Sequence, residues 1–371
     1  MFPQKIGRFF AKCALLSSPF IFLFATYLYF DPAQVLRHYT DFNQQDMVNR
    51  DFISTQTFLD NNPTQHYQSF ILGNSRSGPY ATTDWAPYIH DKQPFHFDAA
   101  AESLYGIYHK IKFLDTQAIS IKNVLIVCDR GLLKNIGNPA GGPLFMKDSR
   151  ASDNSWLEFQ LGFVKAYFSD FFYVNFLSRK LKTSSLPATP NKLPDSYYYE
   201  YVSNDMPLKA LDIEIAKDSI GYYQRKAHVF LEARPPASEE KEPVIGVKQL
   251  EMLQEMARIF KKHNTDYRVI ISPLFDKLPL NKQDVKTLRT VFGEQLVYNY
   301  SGSNKFTESY QNYYELSHYR PHVARRIMKE IYTQSVRQGG FVKTDSATIK
   351  LSHLRAGHAA LRAVSKVLYP L

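Results

Sequence analysis

Short apolar runs that alternate with helix-like segments constrain the fold of this chain more than any other feature. The clearest run is Asn-Val-Leu-Ile-Val-Cys at residues 123–128, and residues 69–72 and 267–272 are two further candidate strands. Strands buried on both faces are apolar at every position, whereas half-exposed strands alternate. Residues 247–262 repeat apolar side chains at steps of three and four, which is typical of a helix. The sequence therefore predicts an α/β fold, a three-layer sandwich with a mainly parallel sheet.

The remaining segments complete this organisation. Further strands are predicted at residues 95–98 and 295–300, and further helices at residues 104–119, 156–181 and 285–292 and from Pro321 onward. Residues 31–66 read as a juxtamembrane segment with helical character that stops at Asn-Asn-Pro, residues 61–63. Residues 131–245 are interpreted as a large insertion that covers a site or binds a partner. Residues 336–371 are predicted to be a tail with a helix.

The N-terminus predicts a membrane anchor over residues 1–30. Lys5, Arg8 and Lys12 precede an uncharged run at residues 13–30, which is close to the length that spans a bilayer as a helix. Positive charge before the run favours a cytoplasmic N-terminus. We expect an uncleaved signal-anchor that crosses the cytoplasmic membrane once, with the rest of the chain extracytoplasmic, in the periplasm. A cleaved signal peptide and a buried helix are the alternatives.

Composition excludes several classes of function. The 371 residues are 44% hydrophobic, as expected for a folded protein with a substantial core. The net charge of +10 either favours anionic surroundings such as membrane phosphates or acidic glycans, or reflects only a basic surface. Lysine and arginine are spread along the chain without a nucleic-acid-binding motif, so no nucleic acid partner is expected. Cys13 and Cys128 are not expected to pair. There is no Cys/His pattern with zinc spacing, so we expect neither a metal nor a cofactor.

Two short motifs carry the chemistry. Residues 73–75 read Gly-Asn-Ser directly after the first predicted strand, and residues 315–318 read Glu-Leu-Ser-His before the last predicted helix. Ligands of parallel sheets bind at the carboxyl ends of the strands, where Ser75 is expected. A serine nucleophile needs an imidazole as base and a carboxylate to orient it, which His318 and Glu315 supply.

Each motif also has an ordinary interpretation when it is taken alone. Gly-Asn-Ser is typical of a turn, and Glu-x-x-His is typical of an ion pair at a helix end. Ser77 is the alternative nucleophile, although the Gly-x-Ser spacing favours Ser75. The order of the two motifs, at opposite ends of one α/β unit, favours a Ser–His site.

With these motifs the chain resembles the GDSL/SGNH hydrolase superfamily. It looks most like the membrane-anchored extracytoplasmic branch, which includes the teichoic-acid D-alanylation protein DltD and the alginate O-acetylation proteins. That family has Gly-Asp-Ser after the first strand and Asp-x-x-His near the end, so residues 73–75 and 315–318 each differ at the acidic position. The resemblance implies an SGNH-type, flavodoxin-like sandwich over residues 67–335, with Ser75 as nucleophile, His318 as general base and Glu315 orienting it.

The middle blocks of the family match this chain less well. The family takes oxyanion donors from a glycine and an asparagine, and here Ala101 and Asp129 stand near those places. The resemblance then implies an oxyanion site built from the backbone N–H groups of Ser75, Ala101 and Asp129. Arg76 is expected either to bind an anionic group of the substrate or to form an ordinary salt bridge.

The resemblance also implies a function. It predicts a serine esterase or O-acyltransferase that acts on cell-envelope polysaccharide, with an envelope glycan or an acyl-donor protein as its partner. The alternative is a catalytically degraded scaffold or binding subunit of an envelope-assembly complex, with residues 131–245 as the partner surface. A plain structural membrane protein would instead leave Ser75, Glu315 and His318 far apart.

Overall fold

The computed structural model describes residues 2–42, 49–137, 144–169, 172–181, 199–231 and 242–337. In this part of the chain a five-stranded parallel sheet has the order β2-β1-β3-β4-β5. Its strands are β1 Ser69–Gly73, β2 Phe95–His96, β3 Asn123–Cys128, β4 Asp266–Ile271 and β5 Val297–Asn299. The helices are α1 Phe2–Phe30, α2 Arg50–Gln65, α3 Thr82–Ile89, α4 Leu104–Thr116, α5 Arg130–Lys134, α6 Trp156–Phe168, α7 Phe172–Lys180, α8 Lys209–Lys217, α9 Ser219–Arg225, α10 Ala227–Leu231, α11 Val247–His263, α12 Lys282–Phe292 and α13 Pro321–Arg337. The predicted α/β fold with a parallel sheet is confirmed.

Alternate side chains of the central strands enter two different hydrophobic clusters. Leu72 and Ile126 pack with α4, α11 and α12, whereas Ile71 and Leu125 pack with α3 and α13. These strands are therefore buried on both faces, which explains why their sequence is apolar at every position. β3 has the bounds that the sequence predicts, β1 is one residue longer at its end, and β4 is shifted by one residue toward the N-terminus.

Several other predicted elements differ from the structure, and the strand predicted at residues 295–300 is the three-residue β5. The strand predicted at residues 95–98 is the two-residue β2, and the helix predicted at residues 156–181 is divided into α6 and α7. The predicted stop at residues 61–63 is wrong, because α2 continues through Pro63 and ends at Gln65. A proline in the last turn removes a single helical hydrogen bond, and His66 closes the helix in the left-handed conformation with its N–H on the Asn62 oxygen.

The N-terminal helix is suited to a membrane by length and composition. Within α1, Ile6–Phe30 form a 25-residue stretch of mean hydropathy 1.7, and its side chains are almost all exposed. This exposure argues against the buried-helix interpretation. The stretch supports a membrane anchor, and the side of the membrane on which the domain lies remains a prediction.

The predicted insertion contributes helices to two separate places. α6 and α7 pack on the end of α1 and on α2, in an aromatic cluster that includes Tyr27, Phe52 and Phe159. α8, α9 and α10 lie at the other place, where Tyr222 and Tyr223 pack against Tyr314. The predicted C-terminal tail beyond residue 337 lies outside the described residues.

Candidate active site

Ser75 begins a tight turn at the carboxyl end of β1. Residues Ser75–Ser77 form a single 3-10 turn, and the Asn74 side chain accepts a hydrogen bond from the Arg76 N–H at 3.0 Å. Gly73 is required beneath this turn, because a Cβ there would lie 2.7 Å from the backbone oxygen of Val127 on β3. Ser75 itself is partly exposed, so its hydroxyl is at the surface where a ligand can reach it.

The structure brings the two sequence motifs into direct contact. Ser75 Oγ and His318 Nε2 are 2.7 Å apart, although the residues are 243 positions apart in the chain. His318 Nδ1 is hydrogen-bonded to the Glu315 carboxylate. Because an ionised carboxylate can only accept, the hydrogen on the ring lies on Nδ1 and Nε2 is free to accept from the serine hydroxyl. This is the arrangement that activates a serine nucleophile.

Glu315 can serve as the partner of His318, although its side chain is one methylene longer than that of an aspartate. Burial alone raises the pKa of Glu315, but hydrogen bonds from His318 and from the Ser317 N–H outweigh it and hold the pKa below its usual range. The carboxylate is therefore ionised at neutral pH and can hold the imidazole in one orientation. A glutamate at this position is therefore able to contact the imidazole.

A frame of tyrosines positions the loop that carries His318. The Tyr319 hydroxyl donates to the backbone oxygen of Arg76 at 2.8 Å, which ties the histidine loop to the serine turn. Burial raises the pKa of Tyr319 to about 12, so this hydroxyl keeps its proton. From α9, Tyr222 donates to the backbone oxygen of Tyr314 at 3.0 Å, and Tyr223 donates to that of Tyr313 at 3.0 Å.

Sequence reasoning missed this tyrosine frame. Its signals were a tyrosine directly after the Glu-x-x-His motif and a Tyr-Tyr pair inside the predicted insertion. A tyrosine hydroxyl that bonds a distant backbone oxygen leaves no local pattern, so neither signal could be assigned before the fold was known.

Asp129 acts here as an acceptor. Its carboxylate accepts from Asn74 Nδ2 at 2.6 Å, from Arg76 Nη1 at 3.3 Å and from the Leu132 N–H at 3.1 Å, where it caps α5. Arg76 thus forms the salt bridge that the sequence left open as one alternative, and a contact of Arg76 with substrate stays a prediction. Within Asp129, the backbone N–H is therefore the only group left as a candidate oxyanion donor, beside those of Ser75 and Ala101.

Ala101 lies in the loop between β2 and α4. It is exposed and has φ 47°, in the left-handed region that favours glycine. The neighbouring Glu102 is buried and accepts from Lys110 Nζ at 2.8 Å, and from Lys147 as well. Buried ion pairs therefore hold the loop on which the predicted oxyanion donor lies, and the donor role of Ala101 itself stays a prediction.

A second Ser–His–Asp array lies buried beneath the serine turn. Ser77 Oγ is 2.9 Å from His96 Nε2, and His96 Nδ1 is 3.0 Å from Asp205 Oδ1. Ser77 also donates to the backbone oxygen of Asn74 at 2.8 Å. Because Ser77 and His96 are fully buried, a substrate cannot reach them. Ser77, the alternative nucleophile of the sequence, therefore supports the turn from below.

The described residues contain no candidate metal site, and the comparisons with known proteins found no match. Across the described residues no group of three or more His, Cys, Asp or Glu side chains is placed to hold a metal ion. Cys13 and Cys128 are unpaired, the first exposed and the second buried. A scan of protein-family models and a search of curated proteins found no match to this chain.

Proposed function

We propose that this chain is a membrane-anchored serine esterase or O-acyltransferase of the SGNH type, which acts on cell-envelope polysaccharide through an acyl-enzyme on Ser75. One observation carries the proposal: Ser75 Oγ lies 2.7 Å from His318 Nε2, whose other ring nitrogen is bound to Glu315. The alternate packing of the central strands against helices on both faces agrees with the three-layer sandwich of that superfamily.

The first half of the reaction forms the acyl-enzyme. Ser75 Oγ attacks the carbonyl carbon of an acyl ester while His318 Nε2 takes the hydroxyl proton, and the carbonyl oxygen becomes an oxyanion. Glu315 stabilises the imidazolium that results. When the tetrahedral intermediate collapses, the bond to the leaving oxygen breaks, and His318 gives its proton to that oxygen.

The second half repeats these steps with a different nucleophile. A hydroxyl of the glycan, or water, gives its proton to His318 and attacks the acyl carbon of Ser75. Collapse then returns the proton to Ser75 Oγ and releases the acylated glycan or the free acid. The predicted anchor keeps the domain beside the envelope, which favours transfer to a glycan over general hydrolysis.

The oxyanion site of this proposal consists of backbone donors alone. Its donors would be the backbone N–H groups of Ser75, Ala101 and Asp129, since the Asp129 side chain is occupied as an acceptor. One well-placed oxyanion donor contributes about 100- to 1000-fold to kcat. The lack of a side-chain donor at Asp129 is the observation that favours the second candidate, a non-catalytic scaffold or binding subunit of an envelope-assembly complex.

A serine-directed fluorophosphonate probe separates the two candidates. Catalysis predicts that the full-length protein is labelled, and that Ser75→Ala and His318→Asn both abolish labelling. Ser303→Ala and His90→Asn are the matched controls, because both residues are exposed and neither belongs to the proposed machinery. Labelling that persists in Ser75→Ala would contradict the proposed nucleophile.

A cellular measurement completes the test. If Ser75→Ala abolishes labelling and also lowers acylation of the envelope glycan, the acyltransferase stands. If the wild-type chain is not labelled and Ser75→Ala leaves acylation unchanged, the scaffold is the better description.

A further inference from the structure

Helix α6 carries apolar side chains on the side that faces away from the protein as well as on the side that faces it, and α7 and the residue after it add two more exposed apolar side chains. Inward, Phe163, Tyr167 and Phe176 are buried in the aromatic cluster. Outward, five apolar side chains are each between 47% and 68% exposed: Trp156, Leu157, Leu161, Val174 and Leu181. Single exposed apolar residues are ordinary, but several of them on two neighbouring helices mark a surface that meets something other than water.

This surface adjoins the end of the membrane-spanning stretch. The Tyr167 hydroxyl is 2.9 Å from Thr26 Oγ1, and the Tyr27 and Tyr167 rings are 5.3 Å apart. The Phe30 and Phe176 rings are 5.6 Å apart. Because the apolar stretch of α1 ends at Phe30, these contacts place the adjoining parts of α6 and α7 at the level where α1 leaves the bilayer.

The residues around the surface suit a headgroup layer. Leu157, Leu161 and Lys165 follow one another at steps of four along the outer side of α6, so that the apolar stripe ends in a cation near α1. Lys180 is an exposed cation at the end of α7. Apolar side chains flanked by lysine, with a tryptophan at one end, are typical of helices that lie in the interface of a membrane with anionic lipids.

We propose that α6 and α7 lie in the boundary between the headgroups and the acyl chains of the same bilayer that α1 spans. The occupant of the exposed apolar surface is therefore lipid. The surface lies on two helices that contact α1, a helix itself suited to lipid, so no second molecule is needed to cover it. This inference rests on the anchor and does not depend on the proposed catalysis.

Such a contact would restrict the orientation of the domain. On its inner side α6 stacks Phe159 on Phe52 of α2 at 5.9 Å. α2 also carries Arg50, whose guanidinium is 2.7 Å from Asp98 in the loop that precedes Ala101. The lipid-facing element is thus joined through α2 to the loop of the candidate active site, so the domain is held at the membrane at two places, α1 and the pair α6 and α7.

The two tryptophans of the chain allow a direct test. Trp156 is exposed on α6, whereas Trp85 is fully buried and donates to the Tyr332 hydroxyl at 2.7 Å. The full-length Trp85→Phe protein is reconstituted in vesicles of phosphatidylcholine and phosphatidylglycerol, with and without brominated acyl chains. We expect brominated lipid to quench the fluorescence of Trp156. Aqueous iodide should quench Trp156 in vesicles much less than it quenches a free tryptophan in water. Trp156→Phe, which keeps Trp85, should show little quenching by either agent.

The apolar stripe is tested by a charged pair. In the Trp85→Phe background, Leu157→Glu with Leu161→Glu should reduce quenching by brominated lipid, with the circular dichroism spectrum unchanged because both side chains are exposed. Ile213→Glu with Ile220→Glu is the matched control, since these exposed residues of α8 and α9 do not belong to the surface.

Three outcomes would overturn the proposal. Free access of iodide to Trp156 in vesicles would place it in water. Protection of Trp156 from both iodide and brominated lipid would place a protein, either a partner or a second copy, on the surface. Equal quenching in the charged pair and in its control would remove the role of the stripe.

Discussion

In the described part of the chain, two arrays of serine, histidine and carboxylate lie on the two sides of one turn, and they differ most clearly in burial. Ser75, His318 and Glu315 are partly exposed, whereas Ser77 and His96 are fully buried and Asp205 nearly so. The serine–histidine distances are close, 2.7 Å in the first array and 2.9 Å in the second. Catalysis needs access for a substrate as well as hydrogen bonds. Only the exposed array has that access, and the buried one can contribute through the stability of the turn.

The largest expected effect is a loss of acyl transfer in variants of the exposed array. Ser75→Ala or His318→Asn should lower acyl transfer by about 10⁴-fold or more, because members of such a triad act as one unit. Stability to urea should change little, since both side chains are partly exposed. The measurement is single-turnover acylation of the full-length protein with an activated ester.

The labelled residue can be identified directly. Arg76 lies between the two serines, so trypsin separates Ser75 from Ser77 and mass spectrometry can assign the adduct to one of them. An adduct on Ser77 would contradict the assignment of roles to the two arrays.

The second expected effect is a loss of stability when the carboxylate of the buried array is replaced. Asp205 accepts from His96 Nδ1 at 3.0 Å, from the Thr82 N–H at 3.0 Å and from Thr82 Oγ1 at 2.6 Å. Asp205→Asn presents an amide group to these donors, so at least one of them loses its acceptor, and a buried donor left unpaired costs about 1–3 kcal/mol of the free energy of unfolding. Urea denaturation measures the loss.

Asp153→Asn is the matched control for Asp205→Asn. Asp153 also pairs with a histidine, His109, at 3.3 Å, but its own side chain is exposed. An exposed pair contributes about 0–1 kcal/mol. Equal losses in the two variants would show that burial does not separate the histidine–aspartate pairs of this chain.

The sequence could predict the features that are encoded by a few neighbouring residues, but not the contacts between residues far apart in the chain. β3 and the turn at residues 73–75 were predictable, because an apolar run and a Gly-Asn-Ser turn are encoded within a few residues. The buried array was not predictable, since Asp205 lies 109 residues from His96 within a segment that has no periodic pattern. The residues around His96 give no local signal of these partners.

The oxyanion region shows the same limit. The sequence identified Asp129 as a departure from the family pattern, but not that Asn74 and Arg76 would both donate to its carboxylate. Those bonds connect the ends of β1 and β3, so they depend on the pairing of the strands. The continuation of α2 through Pro63 was missed for a related reason, because the cap at His66 outweighs the local preference of proline.

The third prediction concerns the pH dependence of the exposed array. The folded pKa of Glu315 lies below its usual value, so its ionised form stabilises the native state above the pKa of the unfolded carboxyl, about 4.3. That contribution is lost as the pH falls through the folded value. Glu315→Gln should therefore be less stable than wild type at pH 7, and the difference should shrink below about pH 4. Urea denaturation across this pH range measures it.

A constant difference between the two proteins at all pH values would contradict the ionised Glu315–His318 pair. Glu308→Gln serves as the matched control, because Glu308 is an exposed glutamate on the same loop region, outside the Glu315–His318 pair. Its stability relative to wild type should change little between pH 7 and pH 4.

The smallest expected effect concerns the loop beside the exposed array. Ala101 has φ 47°, a conformation that disfavours alanine by about 1 kcal/mol relative to glycine. Ala101→Gly removes a methyl group that is exposed and keeps the backbone N–H. We therefore expect its free energy of unfolding to stay equal or to rise by up to about 1 kcal/mol, less the added entropy of the unfolded chain.

The same residue tests the oxyanion site. If Ala101 N–H is an oxyanion donor, acylation should be preserved in Ala101→Gly and lost in Ala101→Pro, which lacks that hydrogen and cannot adopt a positive φ. Gln117→Pro tests a general effect of proline, since Gln117 closes α4 at the far end of the same helix. Equal loss of acylation in both proline variants would point to disruption of α4, whereas loss in Ala101→Pro alone would assign the donor to this loop.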